Sequence, residues 1–187
     1  MSITELNVQG FRIINDLSKD FSFLNLPFVF IAEYLLILII VIALILFFTP
    51  LKQCRLMIIC ALLTVILAVI IRIPVSMLHS NLQPFAELEN VNQLIEKTVG
   101  NSFPSDHAIL IFSICVTFAL FQKRFAWLWL TLASLVGVLR IWAGVHYPAD
   151  VLTGALIAVI AAIIVFFIVP KLPFAKRLAK QQIEITD

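Results

Sequence analysis

The sequence predicts an all-α membrane protein: a polytopic transmembrane helical bundle of about five spans, preceded by an N-terminal interfacial helix. Two observations predict this fold class. Of the 187 residues, 62% are hydrophobic, whereas roughly half the residues of a soluble domain are apolar. Five stretches are also long enough, or nearly so, to cross a hydrocarbon core that needs about 20 residues of helix. These predicted spans lie at about 28–48, 57–78, 105–122, 126–145 and 151–170.

The segment before the first span, residues 1–27, is amphipathic. Leu6, Phe11, Ile14 and Leu17 recur among polar neighbours at roughly helical spacing, which predicts a short helix on the membrane surface. A basic region followed by an apolar run and a small-residue cleavage site is missing, so we do not interpret the segment as a cleaved signal peptide. Residues 1–187 are therefore predicted to form a single membrane-embedded domain.

The positive charges in the connections predict the orientation, because cytoplasmic loops are enriched in Lys and Arg. One side of the bundle carries eight such residues, and the other carries three: Arg12, Lys19 and Lys97. The first side is therefore predicted to be cytoplasmic. The N-terminus, the 79–104 loop and the 146–150 turn then face outward from a plasma membrane.

Charge and cysteine content limit the classes of partner. A net charge of +2 is too small to indicate a nucleic acid, and topology explains the basic residues. The three cysteines have neither a CxxC pattern nor metal-ligand spacing. Membrane lipids are the expected surroundings, and no feature of the sequence identifies a protein partner.

Seven ionisable residues lie within or beside the predicted spans: Glu33, Arg72, Asp106, His107, Arg140, His146 and Asp150. A charged side chain near the bilayer centre costs roughly 2.5–3.5 kcal/mol on insertion scales, so each of them needs an explanation. The predicted topology places all of them in the outer half of the membrane or at its outer edge. An interfacial position accounts for Glu33 and Arg72, because long side chains reach water. The remaining residues indicate a shared functional pocket.

The segment Pro104-Ser105-Asp106-His107 opens the third span with a helix N-terminus that faces outward. The free backbone N–H groups and the positive end of the helix dipole suit a phosphate oxygen, and Ser105 adds a hydroxyl donor. We place Asp106 in the same phosphate-binding group. Near the outer end of the fourth span, the planar guanidinium of Arg140 can bind two phosphate oxygens at once.

His146 and Asp150 are four residues apart, so on one helical face the carboxylate can hold one imidazole nitrogen and leave the other as a nucleophile. Hydrolysis also needs a group that protonates the leaving oxygen and later activates water. His107 is the candidate, since a histidine near its usual pKa of about 6.5 can do both. Two histidines and an aspartate can also bind a divalent metal, but Arg140 opposes a cation and favours phosphate. We therefore predict a covalent mechanism with no metal and no cofactor.

Two motifs now carry a resemblance to a known family. Phe103-Pro104-Ser105-Asp106-His107 and the Arg-x5-His-x3-Asp pattern at 140–150 resemble the second and third motifs of the type 2 phosphatidic acid phosphatase superfamily. Asp instead of Gly before the histidine, the chain's size and the segment at 30–34 are most similar to bacterial undecaprenyl-diphosphatases of the bacitracin-resistance type. The resemblance covers most of the sequence.

The resemblance implies a role for each motif residue. His146 attacks phosphorus, Asp150 orients it, His107 protonates the leaving phosphate, and Ser105 and Arg140 hold oxygens of the transferred group. It also implies a helical bundle with its pocket on the extracytoplasmic side, a polyisoprenyl diphosphate lipid as substrate, release of inorganic phosphate, and no metal cofactor.

One departure from the family pattern is in the first motif, Lys-x6-Arg-Pro. This chain has Gln83-Pro84-Phe85 at the corresponding place and Ser76 seven residues before Gln83, so both basic positions are neutral. We place Gln83 in the phosphate-binding group. Arg72, one helical turn before Ser76, is the predicted source of the missing charge, and the alternative is a structural ion pair of Arg72 with Glu33. Lys97, in the outer loop, is the weaker candidate for the same role.

The leading function is dephosphorylation of undecaprenyl diphosphate to undecaprenyl phosphate on the outer face of the cytoplasmic membrane, which recycles the lipid carrier for cell-wall polymers. Because the motifs contact only the phosphate, phosphatidylglycerophosphate and phosphatidic acid are alternative substrates. A weakly active or non-catalytic lipid-phosphate binder, or a transporter subunit, is the alternative from another class.

Overall fold

The computed structural model describes residues 2–48, 52–173 and 175. Its helices in chain order are α1 (Ile3–Asp20), α2 (Asn25–Phe48), α3 (Lys52–Leu78), α4 (Pro84–Glu87), α5 (Asp106–Phe121), α6 (Ala126–Trp142) and α7 (Pro148–Ile168). Short 3₁₀ turns lie at Ser22–Leu24, Lys123–Phe125 and Val169–Lys171, and no β-strand is found within the described ranges. The predicted all-α fold class is therefore confirmed.

Among the described residues, four helical stretches are long and apolar enough to cross a membrane: Ser22–Phe48, Cys54–Leu78, Lys123–Trp142 and Pro148–Lys171. The remaining predicted span, the third at about 105–122, corresponds to α5, which has only 16 residues and a length of about 24 Å. α5 is the central helix and packs against α3, α6 and α7. The space beyond its N-terminal end is occupied by the 79–104 loop and the turn before α7, which meet there.

Close packing joins α5 to α7 at this end. A Cβ on Gly154 of α7 would lie 2.9 Å from the Ser105 carbonyl oxygen, so only glycine permits this approach without a shift of the backbone. The Ser105 N–H donates to the Asp150 carbonyl oxygen at 3.1 Å. The start of α5 and the start of α7 are thus fixed to each other.

The amphipathic helix predicted at the N-terminus is α1. It begins with a capping box between Ser2 and Glu5, and one face buries Phe11, Asn15 and Ser18. The Asn15 side chain donates to the carbonyl oxygens of Asn92 and Trp142, each at 2.9 Å. A separate stripe of α1 is exposed and apolar, as expected for a helix at a membrane surface: Ile3, Leu6, Ile13 and Leu17.

Candidate active site

The turn between α6 and α7 carries His146 to the end of the bundle. Gly144 permits this reversal: its φ is +80°, and a Cβ there would lie 2.6 Å from the Asn92 carbonyl oxygen. α7 begins at Pro148, so His146 precedes the helix instead of opening it. The expected pairing of His146 with Asp150 is therefore made across a turn and not along one face of a helix.

A hydrogen-bond chain holds the Nδ1 side of His146. Ser102 Oγ donates to Asp150 Oδ2 at 2.6 Å and lies 3.1 Å from His146 Nδ1. Nδ1 lies 3.4 Å from the same carboxylate oxygen. Because the Ser102 proton points to the carboxylate, Nδ1 carries the proton that donates to Ser102. The lone pair of the neutral imidazole is then on Nε2, which makes Nε2 the candidate nucleophile.

Asp150 is fixed from three directions. Its Oδ2 accepts from the Tyr147 N–H at 2.9 Å, as an acidic residue in the first turn of a helix commonly does. Its Oδ1 accepts from Asn81 Nδ2 at 3.5 Å, and its carbonyl oxygen accepts from Ser105 N at 3.1 Å. Asp150 is 1% exposed and His146 is 2% exposed. Asp150 thus joins the start of α7 to the 79–104 loop through its carboxylate and to the start of α5 through its backbone carbonyl.

Lys97 occupies the opposite side of the imidazole. Its Nζ lies 3.0 Å from His146 Nε2 and donates to the lone pair on that nitrogen. Burial lowers the pKa of Lys97 and Arg140 lowers it further, whereas Asp106 and Asp150 act in the opposite direction. Burial also lowers the pKa of His146, which favours the neutral, nucleophilic form.

Lys97, which contacts this nitrogen, lines a cavity of about 390 Å³, whereas His146 itself is not part of the lining. Arg140 is 3% exposed, and its Nε has no hydrogen-bond partner among the described residues. A buried guanidinium nitrogen without a partner is costly, so an anion in the cavity would stabilise it. The cavity lining combines two cations, a histidine, two carboxylates and three other residues: Lys97, Arg140, His107, Glu33, Glu96, Tyr34, Ile37 and Ile95.

The other members of the predicted phosphate-binding group lie elsewhere. Ser105 is fully buried and is the N-cap of α5, where its Oγ accepts from Ala108 N at 3.4 Å. Asp106 is largely exposed and forms an ion pair with Arg72, with 2.5 Å between Arg72 Nε and Asp106 Oδ1. Neither residue of this pair is part of the cavity lining. The alternative partner expected for Arg72, Glu33, instead lines the cavity with Arg140.

Gln83, also predicted to bind phosphate, lies buried within the 79–104 loop. It is 1% exposed, and its Oε1 accepts from Gly100 N at 2.9 Å. A buried amide must find hydrogen-bond partners, and the later part of the 79–104 loop supplies one. Ser102 N donates to Asn81 O at 2.8 Å beside it. Gln83 therefore closes the loop that delivers Ser102 to His146, and it is not part of the cavity lining.

Two residues that contact the His146 ring, Ser102 and Lys97, are not members of the two sequence motifs. Ser102 lies one residue before the Phe103–His107 motif, but nothing in its spacing indicated contact with Asp150. The sequence favours Arg72 over Lys97 as the source of the missing charge because the loop has no periodicity that locates its side chains. One signal in the sequence does point to Lys97: it is one of only three basic residues on the predicted outer side. In the described part of the chain, no group of three or more His, Cys, Asp and Glu side chains is arranged to hold a metal ion.

Comparisons with known proteins identify the family of the chain. Residues 57–174 match the family model described as the PAP2 superfamily, and that region contains His107, Arg140, His146 and Asp150. The chain is 49% identical to the bacitracin transport permease protein BcrC of Bacillus licheniformis over 93% of this chain and 86% of the relative. It is 30% identical to the undecaprenyl-diphosphatase BcrC of Bacillus subtilis strain 168, over 86% and 83% of the two chains.

The fold is also similar to a solved structure. The crystal structure of Aquifex aeolicus LpxE superposes with a TM-score of 0.74 and 29% sequence identity, covering 89% of this chain and 99% of that one. The likeness therefore extends over the helical bundle and is not confined to the motif segments.

Proposed function

This chain belongs to the PAP2 superfamily, as its two motifs predicted, and from that premise we propose that it is a membrane lipid phosphatase. The proposed reaction removes the terminal phosphate of undecaprenyl diphosphate. The names of the relatives support this substrate, since one of them is an undecaprenyl-diphosphatase that shares most of its length with this chain. The arrangement around His146 supports a phosphohistidine route.

In the first step, His146 Nε2 attacks the terminal phosphorus. A nitrogen–phosphorus bond forms, and the bond from phosphorus to the bridging oxygen breaks with its electron pair on that oxygen. His107 donates a proton to the bridging oxygen, so undecaprenyl phosphate departs. Asp150 and Ser102 stabilise the positive charge that the imidazole acquires, and Arg140 holds oxygens of the transferred group.

In the second step, water attacks the same phosphorus. His107, now neutral, accepts a proton from the water as the new phosphorus–oxygen bond forms. The nitrogen–phosphorus bond breaks, its electron pair returns to Nε2, and inorganic phosphate is released. Each histidine ends in its starting form, and neither step requires an electron donor, an electron acceptor or a second substrate.

The surroundings of the cavity suit a lipid substrate that approaches from the bilayer. Tyr34 and Ile37 on α2 belong to the cavity lining and are 50% and 55% exposed. A diphosphate in the cavity would therefore leave its chain along the apolar surface of α2. The distribution of Lys and Arg supports a site on the extracytoplasmic side of a bacterial plasma membrane, as part of the same proposal.

The observation that carries the proposal is the Asp150–Ser102–His146 chain, because it leaves an unprotonated Nε2 in contact with Lys97, which lines the cavity together with Arg140. The test uses detergent-purified protein and undecaprenyl diphosphate labelled with ³²P on the terminal phosphate. We expect phosphate release, and an acid-labile, base-stable ³²P adduct on the protein after rapid quenching. Both should be absent from His146→Ala. An active His146→Ala variant would refute the phosphohistidine route.

The same assay separates the substrate alternatives. Phosphatidylglycerophosphate and phosphatidic acid, presented in the same detergent with and without a chelator, should be hydrolysed more slowly than undecaprenyl diphosphate. A reversed order would assign another lipid to the site. Loss of activity on chelation would overturn a reaction without a metal.

A transport role is the second candidate, because the relative from Bacillus licheniformis is described as a transport permease protein. The Nε2 nucleophile beside His107 and Arg140 favours catalysis over passive binding. If the purified wild-type chain releases no phosphate from any lipid in the panel yet binds them, the transport or binding role gains the support that catalysis loses.

A further inference from the structure

We propose that Lys97 is a further phosphate-binding residue of this site, and that in the resting protein it covers the nucleophilic lone pair of His146 until a phosphate group displaces it. This inference rests on the proposed function, since it names a residue that contacts the transferred group. It assigns to an outer-loop lysine the positive charge that the first motif of this chain lacks.

The contact itself is the first argument. Lys97 Nζ lies 3.0 Å from His146 Nε2, and the Nδ1 proton of that ring is already directed to Ser102. The ammonium group has three donors, and only the one directed at Nε2 has an acceptor among the described residues. The others remain available to oxygen atoms in the cavity that Lys97 lines.

The geometry of attack is the second argument. For reaction, phosphorus must come within about 3–3.5 Å of the attacking nitrogen along its lone pair. Lys97 Nζ is at 3.0 Å from that nitrogen in the resting arrangement, so ammonium and phosphorus cannot occupy the position together. The ammonium must turn aside as phosphate enters. The strongest acceptors it then meets are the phosphoryl oxygens, to which a charge-assisted hydrogen bond forms.

The distribution of charge is the third argument. Burial lowers the pKa of Lys97, and nearby Arg140 lowers it further, so the two cations oppose each other while the cavity holds no anion. A phosphate group between them would remove that repulsion. The other basic side chain considered for this role, Arg72, is paired with Asp106 outside the cavity lining.

The fold gives Lys97 a defined position relative to the nucleophile. The segment 97–102 of the 79–104 loop places Lys97 at Nε2 of His146 and Ser102 at Nδ1. Between them, Gly100 N donates to the buried side chain of Gln83, and this hydrogen bond fixes the segment. The same short segment therefore both orients the imidazole and covers its reactive nitrogen.

Binding of inorganic phosphate tests the inference without lipid turnover. The melting temperature of the detergent-purified full chain, measured against phosphate concentration, gives an apparent Kd. We expect Lys97→Met to raise this Kd roughly 10- to 100-fold, and Lys97→Arg to remain within about 5-fold of wild type. Lys123→Met is the matched control, because Lys123 is exposed at the opposite end of the bundle, and its Kd should equal that of wild type.

A second measurement reports the covering of the lone pair. In the absence of phosphate, diethyl pyrocarbonate should modify His146 faster in Lys97→Met than in wild type, as followed by mass spectrometry of the modified peptide. If Lys97→Met does not fold, Lys97→Gln replaces it in both measurements. The inference is overturned if the folded variant binds phosphate within about 2-fold of wild type, since a lost charged hydrogen bond should exceed that.

The outcomes separate this inference from the proposed function. A weaker phosphate affinity in Lys97→Met supports the inference even if no lipid in the panel is hydrolysed. Hydrolysis of undecaprenyl diphosphate together with an unchanged phosphate affinity in Lys97→Met rejects the role of Lys97 and leaves the proposed function standing.

Discussion

The two sides of the His146 ring differ in how completely the protein satisfies their polar groups. On the Nδ1 side, the Asp150 carboxylate accepts from Ser102, Tyr147 N and Asn81. On the Nε2 side, Lys97 has one acceptor, and Arg140 Nε has none among the described residues. The Asp150 carboxylate thus has its donors without a ligand, although Asn81 Oδ1 beside it has no partner among the described residues, whereas Arg140 Nε gains an acceptor only when an anion enters.

This difference separates two kinds of contribution to function. A fully bonded network fixes the tautomer and direction of the nucleophile, so its members contribute to stability as well as to catalysis. A buried guanidinium nitrogen without an acceptor, such as Arg140 Nε, reduces stability and is stabilised by the ligand. Substitution of Asp150 on the Nδ1 side should therefore lower folding stability. Substitution of Arg140 on the Nε2 side should leave folding stability unchanged or raise it, while it weakens phosphate binding.

The largest effect is expected from Asp150→Asn. The amide keeps the volume but loses the charge that holds the Nδ1 proton, and the loss of phosphatase activity should be roughly 10³- to 10⁴-fold, as for the aspartate of other histidine-centred sites. Stability should fall by roughly 1.5–3 kcal/mol, because buried charged hydrogen bonds are lost. Activity and thermal melting would be compared with Asp20→Asn, an exposed control. Near-normal activity in Asp150→Asn would mean that the nucleophile is not oriented from this side.

Arg140→Met should act in the opposite way on stability. It removes a buried cation whose Nε lacks a partner, so the melting temperature should be unchanged or higher. Phosphate affinity should fall by roughly 10- to 100-fold, because a charged contact to the anion is lost. Arg124→Met, an exposed change just before the same helix, is the control. A large fall in melting temperature with retained phosphate binding would place Arg140 among the structural residues.

The comparison also shows which parts of the molecule could be predicted from the sequence. The helices followed from the apolar stretches, because the bilayer requires long apolar segments whatever their neighbours are. The pairing of His146 with Asp150 followed from their spacing, although the structure makes it through Ser102 and a turn. These features depend on local pattern, which a sequence displays directly.

Side-chain contacts between residues distant in the chain are what the sequence does not predict. Arg72 was expected to supply charge to the phosphate site, whereas it pairs with Asp106. Lys97 contacts the nucleophile because the loop folds back through the Gln83 to Gly100 hydrogen bond. Contacts of this kind depend on hydrogen bonds and ion pairs between distant residues, and the periodicity of the sequence does not predict them.

Acidification should lower the stability of the folded protein through His146, by a smaller amount than Asp150→Asn does. Burial lowers the pKa of His146 in the folded state, so below its unfolded value of about 6.5 the unfolded chain binds the proton more readily. This contribution to stability is present above that pH and is lost as the pH falls through it. Between pH 7.5 and pH 5.5, the melting temperature of wild type should fall by roughly 2–4 °C more than that of His146→Gln. Equal falls would show that the ring is not held neutral.

Arg72→Gln should have the smallest effect. It tests whether Arg72 binds phosphate together with Lys97 and Arg140 on the Nε2 side of the His146 ring, here called the anion-binding side. Arg72 and Asp106 are 33% and 61% exposed in their side chains, and an ion pair so exposed contributes about 0–1 kcal/mol. Because the pair lies outside the cavity lining, phosphate affinity should change by less than about 3-fold in Arg72→Gln and in Asp106→Asn, and the double variant should show little coupling. If Arg72→Gln instead weakened phosphate binding as much as Lys97→Met, the ion pair would have to open when phosphate binds, and the anion-binding side would extend from Lys97 to α3.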